Sequence, residues 1–241
     1  MDYAELPLPP ALDGLVAAIW TIDAGGGDTD AWIEHEATPD GCMELIHRTH
    51  GRSVWGGEQP GMFAAGLNLA PVRFRISGDA RFLGIRLWPW AWEMLGGPPC
   101  PTFADDWIPI APHSALAALL ADPATMLTAT FAQGPRHPLG PAILAATGVA
   151  DIVATSGCSY RTVQRWFERV VGITPRAYLR LIRFRRTMAD FAEPAATLAD
   201  QAAKSGFADH AHMARDFRLL AGTAPGKARA KAKGPFLPGD A

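Results

Sequence analysis

The stretch GVADIVATSGCSYRTVQRWFERVVGITP, Gly148 to Pro175, decides the reading of this chain. It predicts two short helices around a tight turn. Ala150 to Thr155 forms the first, and Gly157 supplies a turn residue for which a left-handed conformation carries no Cβ clash. Ser159 is placed to cap the second, its hydroxyl accepting from a free first-turn N–H. In that second helix Val163, Trp166, Phe167, Val170 and Val171 fall at i, i+3, i+4, i+7 and i+8, one apolar stripe. Arg161, Gln164, Arg165 and Glu168 fall on the other side. A glycine turn leading to a helix with a buried stripe and an outward Arg/Gln/Arg face predicts a helix-turn-helix.

The pattern returns at TLADQAAKSGFADHAHMARDFRLLAGTAP, Thr197 to Pro225. Gly157 answers to Gly206, Phe167 to Phe217, Gly172 to Gly222 and Pro175 to Pro225, so the offset passes from 49 to 50 and the second copy carries one extra residue at its turn. Thr197 with Asp200 gives a capped start. Phe207, Met213, Phe217 and Leu220 supply the second stripe, and Arg176 to Ala192 predicts a long helix between the units, ending before Pro194. Two copies are too few for a solenoid.

Two units about 50 residues apart, with G-x-[ST]-x-[RT] opening the first reading helix and G-[IT]-x-P closing each unit, resemble the AraC/XylS transcription regulators over Pro141 to Lys227. The resemblance implies a partner of double-stranded DNA and puts the base-contacting positions on Arg161, Gln164 and Arg165. The matching positions of the second helix are Ala211, His212 and Arg215. Arginine suits guanine and glutamine suits adenine, whereas Ala211 offers a methyl contact and His212 a single hydrogen bond, so the second unit is the poorer base reader. After Pro225 the family's usual tyrosine-arginine pair is replaced by Lys227-Ala228-Arg229, and the final helix is expected to be short or absent.

Charge divides the same way. Residues 1–140 hold 7 Lys/Arg and 16 Asp/Glu, a balance of −9, and residues 141–241 hold 15 and 8, a balance of +7. The basic half matches a polyanion, because each neutralised phosphate releases condensed counterions. The acidic half is expected to face away from it. No apolar run reaches the length of a membrane span, and MDYAELPLPP does not read as a signal peptide. Cys42, Cys100 and Cys158 are odd in number and scattered, which predicts no disulfide framework and a reducing, cytoplasmic setting.

The first half predicts short strands at 15–22, 32–37, 42–47, 72–77 and 82–87, with Val72, Phe74 and Ile76 alternating against Arg73, Arg75 and Ser77. Short helices follow from Trp90, and GPRHPLG at 134–140 is the expected linker. The fold class is therefore α+β. A small β-barrel or sandwich with short helices (residues 1–133) precedes an all-helical domain of two helix-turn-helix units joined by a long helix (141–230) and a flexible tail (231–241). Pro39 to Ile46 and Gly84 to Gly96 resemble the N-terminal half of one branch of AraC-like regulators, although Trp90 stands where that branch has a small residue. This implies a cupin-like barrel that senses a small molecule or mediates dimerisation, admitting a homodimer.

Trp20, Trp32, Trp88 and Trp90, with Trp55 and Trp92, are candidates to line an apolar effector pocket, set against plain core packing. Glu34, His35, Glu36, Cys42, His47 and His50 gather in the first half, but no spacing fits a zinc site, and His35 and Glu34 point to opposite faces of one strand. His210 and His212 are i and i+2 and diverge on a helix. No metal, cofactor or catalytic residue is expected, and no Ser/His/Asp set or phosphate loop stands out. Two other readings are a small-molecule-binding or metal-dependent barrel enzyme fused to a DNA-binding module, and a plain dimerisation domain.

Overall fold

The computed structural model describes residues 1–132, 139–191 and 197–231, with the backbone of 236–238. The first half runs β1 (Asp2–Leu6), β2 (Val16–Asp23), β3 (Trp32–Ala37), β4 (Met43–His50), β5 (Ser53–Trp55), β6 (Gly57–Glu58), β7 (Met62–Ala65), β8 (Val72–Ser77), β9 (Arg81–Leu87) and, after helix α1 (Pro89–Met94), β10 (Trp107–Pro109). All pairings are antiparallel. One sheet has the order β1-β2-β9-β4-β7-β10, and the other places β3-β8-β5-β6 beside a short strand β11 (Phe236–Pro238). The sheets do not close on each other, so of the two architectures expected, the sandwich is the one formed.

The pleat sorts each strand of the larger sheet into two faces. Trp20, Ile22, Ile46, Phe63, Ala65 and Phe82 pack with Ile76 of the smaller sheet. Their neighbours Ile19, Met43, Leu45, Ala64, Ile85 and Leu87 belong to a second core on the opposite face, built with the helices. Gly84 is required inside the sandwich, because a Cβ there would stand 2.1 Å from the Trp20 ring.

Helices α2 (Ala115–Leu119), α3 (Pro123–Ala132) and α4 (Leu139–Ala145) lead to the second half. The linker expected at 134–140 lies largely outside the described residues; Leu139 and Gly140 already belong to α4 and are buried. The first unit is α5 (Val149–Ser156) and α6 (Tyr160–Trp166), and α6 continues through a π-helical turn at Phe167–Val171. Helix α7 (Pro175–Asp190) then leads to α8 (Leu198–Lys204), α9 (His210–Leu220) and α10 (Pro225–Lys231). The final helix is thus present but only seven residues long. Among the described residues no helix is long and apolar enough to cross a membrane.

The two halves share one core. Met43, Leu45 and Trp90 of the first belong to the same buried cluster as Phe167, Tyr178, Ile182 and Phe217 of the second. Trp90 sits in the joint: its Nε1 donates to the Gly14 carbonyl at 2.7 Å, and a Cβ on Gly140 would come within 2.7 Å of the same nitrogen.

Candidate nucleic-acid interface and effector cavity

Both helical units are built by their caps. Gly157 takes φ 68°, and Ser159 Oγ accepts from the Thr162 N–H at 3.1 Å, which starts α6. Gly206 takes φ 74°, and Asp209 accepts from the His212 N–H at 2.6 Å, which starts α9. The cap lies two residues after the glycine in the first unit and three in the second, which locates the extra residue of the second copy. Thr197 caps α8 by accepting from the Asp200 N–H at 3.1 Å, as its spacing predicts.

In α6 and its π-helical continuation Val163, Trp166, Phe167, Val170 and Val171 are buried, while Arg161, Gln164 and Arg165 are exposed. In α9 Met213, Phe217 and Leu220 are buried, while Ala211 and Arg215 are exposed. His212 is half-buried; its Nδ1 accepts from the Ala208 N–H at 3.3 Å and its Nε2 lies 3.7 Å from Asp216. Asp216, 6 % exposed, also faces Arg180 at 3.7 Å and Arg183 at 3.8 Å, so it ties α9 to α7. Phe184 packs edge-on against Phe217, with ring centroids 4.8 Å apart, and reinforces that joint. In α6 the polar face is thus exposed because the apolar face is fixed, and in α9 the same holds for Ala211 and Arg215.

Between the sheets lies a cavity of about 570 Å³, mouth included. Trp20, Trp55, Phe63, Phe74 and Phe82 form most of its aromatic wall, with Glu44, Ser53, Gln59 and Asn68 among them. A recess shares Glu44 and Asn68 with it and continues to Asp40, Cys42 and Arg86. Of the four tryptophans expected at an effector pocket, Trp20 lines this one; Trp32, Trp88 and Trp90 do not. Trp32 stands on the outer face of the smaller sheet beneath the guanidinium groups of Arg52 and Arg75, at 5.0 and 4.6 Å. Pro89 starts α1 directly after β9 and turns Trp88 and Trp90 into the core shared with the helices, where their rings stack at 5.4 Å. Trp55, the further candidate, does line it. Phe63 and Asn68 carried no signal, because short strands and loops hide their parity.

Residues 152–231 match a family model described as a helix-turn-helix domain. The helical half is an AraC-type helix-turn-helix domain. Such a domain places the chain among DNA-binding regulators of transcription. Residues 5–109 match the model of a domain of unknown function, DUF6597. A comparison with curated protein sequences gives no match. Among solved structures, ToxT from Vibrio cholerae O395 is similar at 11% identity, with a TM-score of 0.47, over 85% of this chain and 98% of that one. ToxT bound to (E)-4-(8-methylnaphthalen-1-yl)but-3-enoic acid gives 10% identity and 0.47 over 84% and 99%. Unsaturated fatty acid bound ToxT from strain SCE256 gives 11% and 0.42 over 83% and 94%.

The AraC-type domain is held to the sandwich by specific polar contacts. Glu93, in the last turn of α1, accepts from Arg169 at 2.5 Å and from Trp166 Nε1 at 3.3 Å. Arg185 of α7 lies over the Trp88 ring at 4.6 Å. Under the cavity, Arg86 is buried opposite Glu44 in the strand register and pairs with Glu44 and Asp40, each at 2.8 Å, and with Glu5 at 3.7 Å. Burial pushes the Glu44 carboxyl up, and Arg86 pulls it back. Burial works against the guanidinium, but the Glu44 and Asp40 carboxylates outweigh it and hold Arg86 charged. Burial keeps Cys42 and Cys100 as thiols, Cys100 pushed up to about 12. Among the described residues no three His, Cys, Asp or Glu side chains are grouped to hold a metal ion.

Proposed function

We propose that the chain is a sequence-specific transcription regulator that inserts α6 and α9 into successive major grooves on one side of a duplex, and that a small molecule in the sandwich cavity modulates it. The observation that carries the reading is the exposure of Arg161, Gln164 and Arg165 on a helix whose opposite face is wholly buried. Arginine pairs bidentately with guanine O6 and N7, and glutamine with adenine N6 and N7, which is how sequence is read in the major groove. In the second unit Arg215 carries most of the reading, Ala211 offers a methyl contact, and His212 is the least available of the six because it is half-buried with Nδ1 engaged by the Ala208 N–H. The positive balance of the helical half supplies the phosphate-dependent part of the affinity. The reading assigns no catalysis to the chain.

Selection from a random duplex library, followed by footprinting on the enriched sequence, tests it. The expected result is salt-sensitive binding with two protected segments about one helical turn apart. Enrichment of no sequence sinks the specific reading, and protection of a single segment sinks the two-helix reading.

A further inference from the structure

The cavity carries its own statement about what enters it, resting on the reading of that cavity as the effector site. Its wall is largely aromatic and aliphatic, which favours an apolar body. Two polar atoms on that wall stand without a hydrogen-bond partner: Ser53 Oγ, on a residue only 1 % exposed, and Asn68 Oδ1. Buried polar groups are normally paired, so each points to a partner supplied from the cavity. The cation of the adjoining recess, Arg86, is 4 % exposed and already committed to Glu44 and Asp40, with Glu5 beyond, and Arg48 spends its terminal nitrogens on the main-chain carbonyls of Gly51 and Gln59. One guanidinium thus faces three carboxylates, and Glu44 is the member that reaches the cavity wall. An entering anion would meet that carboxylate and find the guanidinium fork already occupied, so burying its charge would be opposed. An entering cation would have to draw Glu44 away from a bond already made to Arg86 at both Nε and Nη2.

We propose that the cavity takes a small, uncharged, mainly apolar molecule bearing a hydroxyl, which donates to Asn68 Oδ1 or hydrogen-bonds Ser53 Oγ, and that it excludes carboxylates. Hydroxyls suit both orphans, since one O–H both donates and accepts.

The test uses the full chain and three probes that share one ring system: 2-naphthol, 2-naphthoate and 2-naphthylmethylammonium at pH 7. Binding is followed by quenching of tryptophan emission and by calorimetry. The expected order puts 2-naphthol first, ahead of the other two by about tenfold or more. Ser53→Ala is expected to weaken 2-naphthol severalfold and to leave 2-methylnaphthalene unchanged. Equal or tighter binding of the naphthoate overturns the proposal, and so does tightest binding of the ammonium, which would make Glu44 the ligand's ion partner. Both of those results leave the cavity standing as a site. Failure of all the probes, 2-methylnaphthalene included, overturns the ligand class and the effector-site reading together. The order among head groups is read on the unaltered chain, so it stands even if Ser53→Ala does not fold.

Discussion

The hydroxyl of Tyr178, buried in the first turn of α7, donates to the main-chain carbonyl of Gly41 at 2.7 Å. One residue earlier, Asp40 holds Arg86 under the cavity at 2.8 Å. A single turn, Pro39 to Cys42, therefore touches the recess beside the cavity with one residue and the AraC-type domain with the next. Its Gly41 takes φ 80° and lies against Ile182, leaving no room for a larger residue to loosen the joint without strain.

Tyr178→Phe keeps the ring and removes this bond, leaving a buried carbonyl without that donor. The expected loss is about 1–3 kcal/mol. For a chain of this length each kcal/mol lowers the melting temperature by roughly 2–4 °C. Differential scanning calorimetry checks it; an unchanged melting temperature would show that the bond adds nothing. If the turn carries the cavity's signal, the same variant also loses the ligand's effect on DNA affinity.

Arg165→Ala should relax preference at one base pair of the selected site by about 1–3 kcal/mol and leave other positions alone. Lys227→Ala, on α10, should instead weaken all sequences alike. Competition binding against single-position operator variants separates the two. Uniform weakening by Arg165→Ala would make it a phosphate contact.

Glu93 holds Arg169, which follows directly on the reading helix α6. Arg169 is exposed and Glu93 only partly buried, so Glu93→Gln is expected to change stability by less than about 1 kcal/mol. Releasing Arg169 adds a cation beside the duplex. The slope of log affinity against log salt should then steepen by about one unit. Fluorescence anisotropy over a salt series measures it, and an unchanged slope would place Arg169 out of reach of the phosphates.

His35 is buried against Phe74, with ring centroids 5.4 Å apart and its Nε2 unpartnered. Burial lowers its titration below the ordinary 6.5, against the opposing pull of Glu34. Between the lowered value and 6.5 the unfolded chain binds more protons than the folded one, so stability rises with pH across that window. The contribution is complete above pH 6.5 and is lost as the pH falls through the folded value. His35→Phe should flatten this part of the acid limb in thermal melts between pH 5 and 7. An unchanged limb would place the acid sensitivity elsewhere.

The helical half was legible in the sequence because its signals are local. Gly157, Ser159, Thr197 and the five-residue stripe from Val163 to Val171 each act within one or two turns, and each does in the fold what its spacing predicts. The strand alternation at Val72, Phe74 and Ile76 was legible for the same reason. The cavity was not. Its wall comes from strands of both sheets and the Asn68 loop, and β5, β6 and β7 are too short for an alternation to register. Trp88 and Trp90 fall outside the cavity because the strand ends at Leu87 and α1 begins at Pro89. Arg86 carries no local signal of its burial; the strand register opposite Glu44 places it as a buried ion.

Helix α7 runs sixteen residues without interruption and carries α9 against its side through Phe217 and Asp216. At about 1.5 Å per residue that is roughly 24 Å of stiff rod. A protein built this way carries its own ruler, and the operator must match its phase. Inserting about five base pairs between the two recognised segments turns the second to the far side of the duplex, since one turn takes roughly 10.5. Inserting a full turn restores the facing but not the distance, so both spacings should be refused.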